Sequence, residues 1–334
     1  MPSIILASCQ WLVDGTGPRL DSDDPELAGA LAAAGADAEI RAWDDDTVDW
    51  AGADAVVVRT TWDYQQRLEE FLAWAGEVDA ATLVLPTADV IRWNTHKSYL
   101  MELEDRGAPI VATAWLGAGD QVDLAELARA RGWRQVVVKP VVGAAGRGLM
   151  VADPATDTIL DMTAPIDVAD RAEGAKHADE SAATLESSAA TGSAQAAFAA
   201  LTAVEDVMVQ PLLDRVRTEG ELSFVVLDGR VGHVVRKLPA TDQWRIHIEV
   251  GGAYEQAEPA PDLVRMVEWL VEQLPTVPAI ARVDLLPSDD GEWQVGEVEL
   301  VEPALYLDWV DGGAEAVAAT ILDRVTAARS PGGP

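Results

Sequence analysis

One cysteine occurs in this chain of 334 residues, so no disulfide can form within it and a disulfide-stapled secreted scaffold is excluded. Cys9 follows the apolar start Ile4-Ile5-Leu6-Ala7 and reads as a strand-end residue. A catalytic thiol would need a matched histidine, and none lies nearby in the sequence. Positive charge is scarce. Against 57 Asp and Glu stand 24 Lys and Arg, a formal net charge of −33. Such a field repels phosphate backbones and anionic bilayers, so neither nucleic acid nor a membrane surface is an expected partner. No apolar run approaches the ~20 residues of a membrane span. The first residues carry no basic segment and no sustained apolar core of a signal peptide, so the expected location is the cytoplasm. Phenylalanine is rare at 3, but 12 tryptophans supply aromatic anchors. The length suffices for two or three lobes, and alternating Ala-rich and Val-rich runs favour an α/β fold.

The scarcity is sharpest for lysine. Only four occur, at 97, 139, 176 and 237, against 20 arginines. Lys97 follows Trp93-Asn94-Thr95-His96. Lys139 ends the apolar run Val136-Val137-Val138 and opens a Gly-rich stretch with Gly143, Gly146 and Gly148. Lys237 closes another apolar run. Lysine is a compact point charge suited to a single phosphate oxygen, where arginine brings a wide planar fork. In a chain this acidic, a nucleotide site must gather its cations locally, and bound divalent metal would supply much of the positive charge.

Strands are expected at residues 3–8, 37–42, 55–59 and 82–85, separated by helices at 24–35 and 65–79: a small parallel α/β lobe. Ligands of such lobes bind beyond the carboxyl ends of the strands. Ser8 and the segment Arg59-Thr60-Thr61-Trp62-Asp63-Tyr64 lie at such ends, as substrate contacts or as loop caps. A helix over 95–106 is expected, with Asn94 or Thr95 as N-cap and Lys97 in its first turn. Residues 135–139 and 148–152 pair as a hairpin around the Gly-rich loop. From about 153 to 192 the chain is rich in Ala, Asp, Glu, Ser and Thr without apolar periodicity, and reads as an insertion without regular structure. Residues 193–203 read as helix and 207–210 as strand. Asp228-Gly229 turns a hairpin of 221–227 and 230–237. A helix at 261–274, a strand pair at 279–286 and 292–300, and a helix at 314–328 complete the chain.

The last strand pair concentrates acid. Glu297 and Glu299, at i and i+2, share a face, and Asp284 lies on the neighbouring strand. Clustered carboxylates in an apolar strand pair are costly, and an oxygen-bound divalent ion such as Mg²⁺ or Mn²⁺ relieves that cost. Alone, such a pair would read as an edge facing solvent. Its company of lysines and a Gly-rich loop argues for a metal site.

Asn94-x-x-Lys97 before a helix, a strand ending in Lys139-Pro140 with its Gly-rich loop, Met208-Val209-Gln210-Pro211, Arg282-x-Asp284 and Glu297-x-Glu299 together resemble the ATP-grasp superfamily, over about residues 90–310. The branch is that of glutathione synthetase and the ribosomal-protein glutamate ligases. The segments Thr60–Tyr64, Arg92-Trp93-Asn94, Gly220–Phe224 and Glu297–Pro303 resemble the cyclo-ligases of cycloserine biosynthesis, which close O-ureido-serine to a ring. The resemblance implies a pre-grasp substrate domain at 1–90, a lid subdomain at 91–207 and a metal-bearing subdomain at 208–329. It further implies that Lys97 and Lys139 hold ATP phosphates under the lid of Gly143, Gly146 and Gly148. Gln210 and Leu212 would meet adenine and Glu221 the ribose. Asp284, Glu297 and Glu299 would bind two Mg²⁺, with Glu299 departing from the usual Asn. Arg282 would stabilise the transferring phosphoryl group, while Arg245 and Lys237 orient a substrate carboxylate or acyl phosphate. The implied activity is ATP-dependent joining of a carboxylate to an amine on an amino-acid-like substrate, within one molecule or between two, releasing ADP and phosphate. A kinase of the same fold and a non-catalytic nucleotide-binding module are the competing readings. Arg59, Trp62, Asp63 and Tyr64 are the candidate substrate residues, and a homodimer is the default assembly.

Overall fold

The computed structural model describes residues 1–16, 22–143, 146–163, 192–240, 246 and 251–330. Three sheets organise them. The first is parallel, in the order β2-β1-β3-β4, built from β1 (Ser3–Ser8), β2 (Asp37–Ala42), β3 (Ala55–Val58) and β4 (Leu83–Leu85). The central strands β1 and β3 are almost wholly buried and correspondingly unbroken in apolar character, as a sheet covered on both faces requires. Helix α1 (Asp24–Ala33) covers one face with Leu27 and Leu31. Helix α2 (Leu68–Asp79) covers the other with Phe71, Ala75 and Val78.

The next sheet is antiparallel, in the order β5-β9-β6-β7-β8: β5 (Ala114–Leu116), β6 (Val136–Pro140), β7 (Met150–Asp153), β8 (Thr158–Met162) and β9 (Val207–Pro211). The Gly-rich loop joins β6 to β7 as expected. Gly148 has φ +70, and a Cβ there would meet the Pro140 ring at 2.9 Å, so the loop folds back tightly on the strand end. The expected insertion is narrower than 153–192. Residues 153–163 turn back to form β8, with Ile159 and Asp161 buried, because the alternation Thr158-Ile159-Leu160-Asp161-Met162 supplies a strand. Residues 164–191 lie outside the described residues. Helices α5 (Leu124–Arg131) and α6 (Ala194–Thr202) pack this sheet through Leu124, Ala128, Ala194 and Phe198. Asp123 and Ser193 cap them by accepting the N–H groups of Glu126 and Ala196.

The third sheet, also antiparallel, runs β12-β11-β10-β13-β14: β10 (Glu221–Leu227), β11 (Arg230–Leu238), β12 (Ala253–Gln256), β13 (Ile280–Pro287) and β14 (Trp293–Glu299). Strand β12 was not anticipated, since its residues carry no apolar alternation. One face of this sheet is packed by helix α7 (Pro261–Glu272), through Val267, Leu270 and Val271. The closing helix α8 (Gly313–Arg329) crosses to the first lobe, where Val317, Ile321 and Val325 join Ile4, Leu6, Leu27 and Leu31 in one core.

Around Lys97 the expectation is corrected. In place of one helix over 95–106 there are two, α3 (Ala88–Asn94) and α4 (Tyr99–Asp105), with Lys97 in the turn between them. Asn94 is no N-cap. Its side-chain amide donates to the Val298 carbonyl at 2.9 Å, and its Oδ1 accepts the N–H of Leu300 at 2.8 Å. The Tyr99 hydroxyl accepts the N–H of Val298 at 3.0 Å. These side chains satisfy the open edge of β14 and so fix the strand that carries the acidic pair.

Candidate active site

Strand register builds the site. Glu221 pairs with Lys237 across β10 and β11, Ser223 with Asp284 across β10 and β13, Asp284 with Glu297 and Arg282 with Glu299 across β13 and β14. Directly opposed residues share a face. Seven polar side chains therefore stand together on the face away from α7. A bulge after Asp284 skips Gly296, where a Cβ would meet the Leu286 side chain at 2.9 Å.

This face closes one side of a cavity of about 350 Å³, a volume in the range of small-ligand sites. Lys139 and Gln210 come from the neighbouring sheet, Gly143 and Gly146 from its loop, and Leu212 from the connection after β9. Trp62 and Asp23 come from the first lobe, and Glu302, Tyr306 and Trp309 from the segment after β14. Lys97, Lys139, Gly143, Gly146, Gln210, Leu212, Glu221, Lys237, Arg282, Asp284, Glu297 and Glu299 all line it. Gly148 is not among the lining residues, and Arg245 lies outside the described residues.

The charges pair in a fixed pattern. Lys97 bonds the Glu297 carboxylate and donates to the Gly143 carbonyl at 3.1 Å. Burial alone would pull its ammonium down, but Glu297, Glu299 and Glu302 together offset burial and hold it up. Lys237 bonds Glu221 in the same way and lies 3.9 Å from Asp284. Arg282 grips Asp284 with a fork, Nε and Nη2 at 3.0 and 2.8 Å, and also reaches Glu299. Ser223 donates to Asp284 at 2.5 Å. Burial would raise Asp284, yet Arg282 and Lys237 hold its carboxyl at about 2. Lys139 differs from its neighbours: it has no hydrogen-bond or ion-pair partner among the described residues, and burial pulls its ammonium down.

Acid outnumbers base here. Asp23, Glu221, Asp284, Glu297, Glu299, Glu302 and Asp308 line the cavity with Lys97, Lys139, Arg147, Arg217, Lys237 and Arg282. Burial, then Glu297 and Asp284, push Glu299 up to about 8 despite Arg282. The three expected metal ligands share one face, but their oxygens are turned to Arg282 and Lys97. Among the described residues no three such groups are gathered as a formed metal cage. The donor chemistry still fits a hard divalent ion. It is oxygen-only, and it carries a carboxylate in excess of its cations.

The candidate substrate residues separate. Trp62 lines the cavity, and its Nε1 donates to the Glu302 carbonyl at 3.3 Å. Tyr64 is buried, and its hydroxyl interacts with the Glu302 carboxyl, favouring the ionised form. Asp63 faces away, accepting from Trp43 at 2.9 Å and pairing with Arg67. Arg59 does not reach the cavity. It is buried against Asp24 at 3.3 Å and donates to the Pro303 carbonyl at 3.0 Å. Three of the four therefore brace the segment Glu302–Leu307. Asp23 holds the same segment by accepting the N–H groups of Leu305 and Leu307 at 2.6 and 2.9 Å.

Sequence reasoning assigned no role to Glu302, Tyr306, Tyr254 or Asp23. Tyr306 has φ +55, and its hydroxyl meets Lys237 at 3.1 Å. Its ring lies 5.4 Å from the Lys237 ammonium and 5.6 Å from the Arg282 guanidinium, with Tyr254 set edge-on against it. The acidic run Glu297-x-Glu299-x-x-Glu302 was the available signal for Glu302. Nothing local marked Tyr306, whose place depends on a left-handed residue after the strand.

The model of the N-terminal domain of D-cycloserine synthetase DcsG matches residues 4–86. The cycloserine biosynthesis protein DcsG of Streptomyces lavendulae is 27% identical over 331 residues, covering 94% of this chain and 97% of its own length. The crystal structure of D-cycloserine synthetase DcsG is similar with a TM-score of 0.75 at 25% identity, covering 97% of this chain and 99% of the other. The ATP-grasp ligase PsnB, solved with a phosphomimetic variant of its minimal precursor, Mg and ADP, is similar in fold at a TM-score of 0.57 and 14% identity, covering 97% and 99%. The fold is the ATP-grasp fold.

Proposed function

We propose that this chain, an ATP-dependent ligase of the ATP-grasp fold, activates the carboxylate of a small amino-acid-like substrate as an acyl phosphate and closes it onto a nitrogen of the same molecule. Similarity over nearly the whole length to a cycloserine synthetase supports ring closure. The observation that carries the chemistry is Arg282. Its guanidinium is locked by Asp284 on the cavity wall, between the phosphate-side lysines and the aromatic end at Tyr306. A planar cation held there matches the charge of a phosphoryl group in transit.

A carboxylate is a poor electrophile. Its oxygen attacks the γ-phosphorus of ATP and ADP departs. The acyl carbon then carries phosphate as leaving group. A substrate nitrogen attacks that carbon, the carbon–oxygen bond to phosphate breaks with its electron pair, and a proton leaves the nitrogen. Lys139, unpaired among the described residues, and Lys97 would bind the phosphates, with Gly143, Gly146 and Gly148 closing over them to exclude water. Gln210 and Leu212 would border the adenine and Glu221 the ribose. Lys237 would orient the substrate carboxylate, a role in which Arg245 would share. Asp284, Glu297 and Glu299 would hold Mg²⁺, which neutralises phosphate charge when bound.

The test is incubation with Mg-ATP and O-ureido-serine, following ADP, phosphate and product mass, with hydroxylamine present in a parallel reaction. A cyclic product, lighter than the substrate by one water if the carbamoyl group stays on the nitrogen and by water plus HNCO if it is lost to give cycloserine, and a hydroxamate in the trapped reaction, are expected. ADP with a stable phosphorylated product would replace this reading by a kinase. A condensed product from two amino acids would replace ring closure by intermolecular ligation.

A further inference from the structure

Ring closure releases a proton from the attacking nitrogen, and the site must hold a group to take it. Among the described cavity-lining residues the field is narrow. Lys97, Lys139, Lys237, Arg282, Arg147 and Arg217 are cations without an acceptor. Asp284 and Glu299 are bound to Arg282, Glu297 to Lys97, and Glu221 to Lys237. Both oxygens of Asp23 accept backbone N–H groups. Asp308 is exposed at the rim, against Glu26. Glu302 remains. It is half-buried and lines the cavity, without an ion-pair partner within 4.0 Å among the described residues.

Its placement is unusually well determined. Trp62 bonds its carbonyl, Arg59 the carbonyl of Pro303 and Arg282 that of Ala304 at 3.4 Å. His233 meets the carbonyl of Leu305 at 2.7 Å. Asp23 holds two N–H groups of the same segment. Side chains from two lobes thus fix the backbone of a short connection, and Tyr64 orients the carboxyl itself. Rigid support of this kind is what a reacting group needs and what a solvent-facing loop does not.

Resting on the ring-closing reading above, we infer that Glu302 is a catalytic residue, the base that accepts the proton of the attacking nitrogen, with the Tyr64 hydroxyl as its orienting partner. The nitrogen–carbon bond forms, phosphate leaves with its electron pair, and one nitrogen-bound proton passes to the Glu302 carboxylate. The surroundings agree with this role. Burial pushes the carboxyl up to about 7, with Lys97 and Arg282 opposing and Glu297 adding to the rise; Glu299 faces the same cluster. A base is most effective near the working pH.

The experiment separates the two half-reactions. Hydroxylamine traps an acyl phosphate, so Glu302→Gln, Glu302→Asp and Tyr64→Phe are compared with wild type for ring product and hydroxamate from O-ureido-serine and Mg-ATP. Glu302→Gln is expected to lose ring product by about 10²–10⁴-fold while hydroxamate stays within a few-fold, so that the ratio of the two inverts. Glu302→Asp recovers part of the ring product, and Tyr64→Phe shows the same inversion in weaker form. Calorimetric Mg-ATP affinity and the thermal midpoint check that each variant is folded. Equal loss of hydroxamate and ring product in a folded Glu302→Gln would overturn the inference, as would unchanged ring product. Absence of hydroxamate from the wild-type enzyme would instead overturn the acyl-phosphate reading itself.

Discussion

Lys97 and Glu297, 200 positions apart in the sequence, form an ion pair at the floor of the cavity. One belongs to the turn between two helices and the other to the edge of the acidic sheet. The pair thus holds the site together before any nucleotide arrives. On the proposed reading, phosphate and metal would compete for these two partners. Lys97→Met removes a charge-assisted contact worth about 1.5–3 kcal/mol, so Mg-ATP affinity should fall by roughly 10–100-fold. Calorimetric titration with Mg-AMPPNP checks this. Unchanged affinity would place Lys97 outside the phosphate site.

Arg282 should show the opposite signature. Its guanidinium is anchored on Asp284, and in the proposed reaction it would face the place where charge develops, so its loss should act on turnover more than on ground-state binding. Arg282→Lys keeps the charge but loses the fork, and kcat should drop about 10²–10³-fold with Mg-ATP affinity changed little. Steady-state ADP release set beside calorimetry distinguishes the two effects.

The residues that made this site legible were those whose chemistry is local. Lys139 after a valine run, the Asp228-Gly229 turn and the i, i+2 pair Glu297 and Glu299 announce themselves within a few positions, and the hairpins and sheet face followed. Illegible were contacts set by packing between lobes. Asn94 bonding the edge of β14 cannot be read from Trp93-Asn94-Thr95, so a cap was expected where a cross-lobe bridge exists. Arg59 at a strand end had the position of a substrate residue, yet a buried carboxylate from α1 claimed it. Tyr306 depended on a left-handed backbone that no neighbouring residue demanded.

Stability without metal should depend on pH in a definite direction. Burial, with Glu297 and Asp284, raises Glu299 to about 8, well above its unfolded value. The folded state therefore favours the protonated form, and the stability this group contributes is lost as pH rises through about 8. Glu302, raised to about 7, acts in the same sense. Asp284, held at about 2, acts oppositely, its contribution present at neutral pH and lost only in acid. The thermal midpoint of the metal-free protein should fall as pH rises from about 5 to about 8, and Mg²⁺ should flatten the decline by favouring ionised carboxylates. Thermal denaturation with and without Mg²⁺ measures the difference. A midpoint independent of both would argue against a crowded acidic cluster.

Arg59 offers the clearest separation of structure from recognition. Its side chain is 1% exposed beside Asp24, which is itself buried, and Arg59 also holds the Pro303 carbonyl. Replacing Arg59 with Met strands a buried carboxylate and an unpaired carbonyl, which should cost about 3–5 kcal/mol. Replacing Asp24 with Leu in the same chain removes the stranded charge, and much of that loss should return, because a buried pair exchanged for apolar groups is often close to neutral. A substrate-binding arginine would behave otherwise. Its loss would raise KM at unchanged stability, and no change at Asp24 would compensate. Urea denaturation of the single and double variants, beside KM for the ring-closing substrate, tests one account against the other. Trp62→Ala, at the cavity wall, is the contrast: its effect should fall on KM and kcat more than on the folding midpoint.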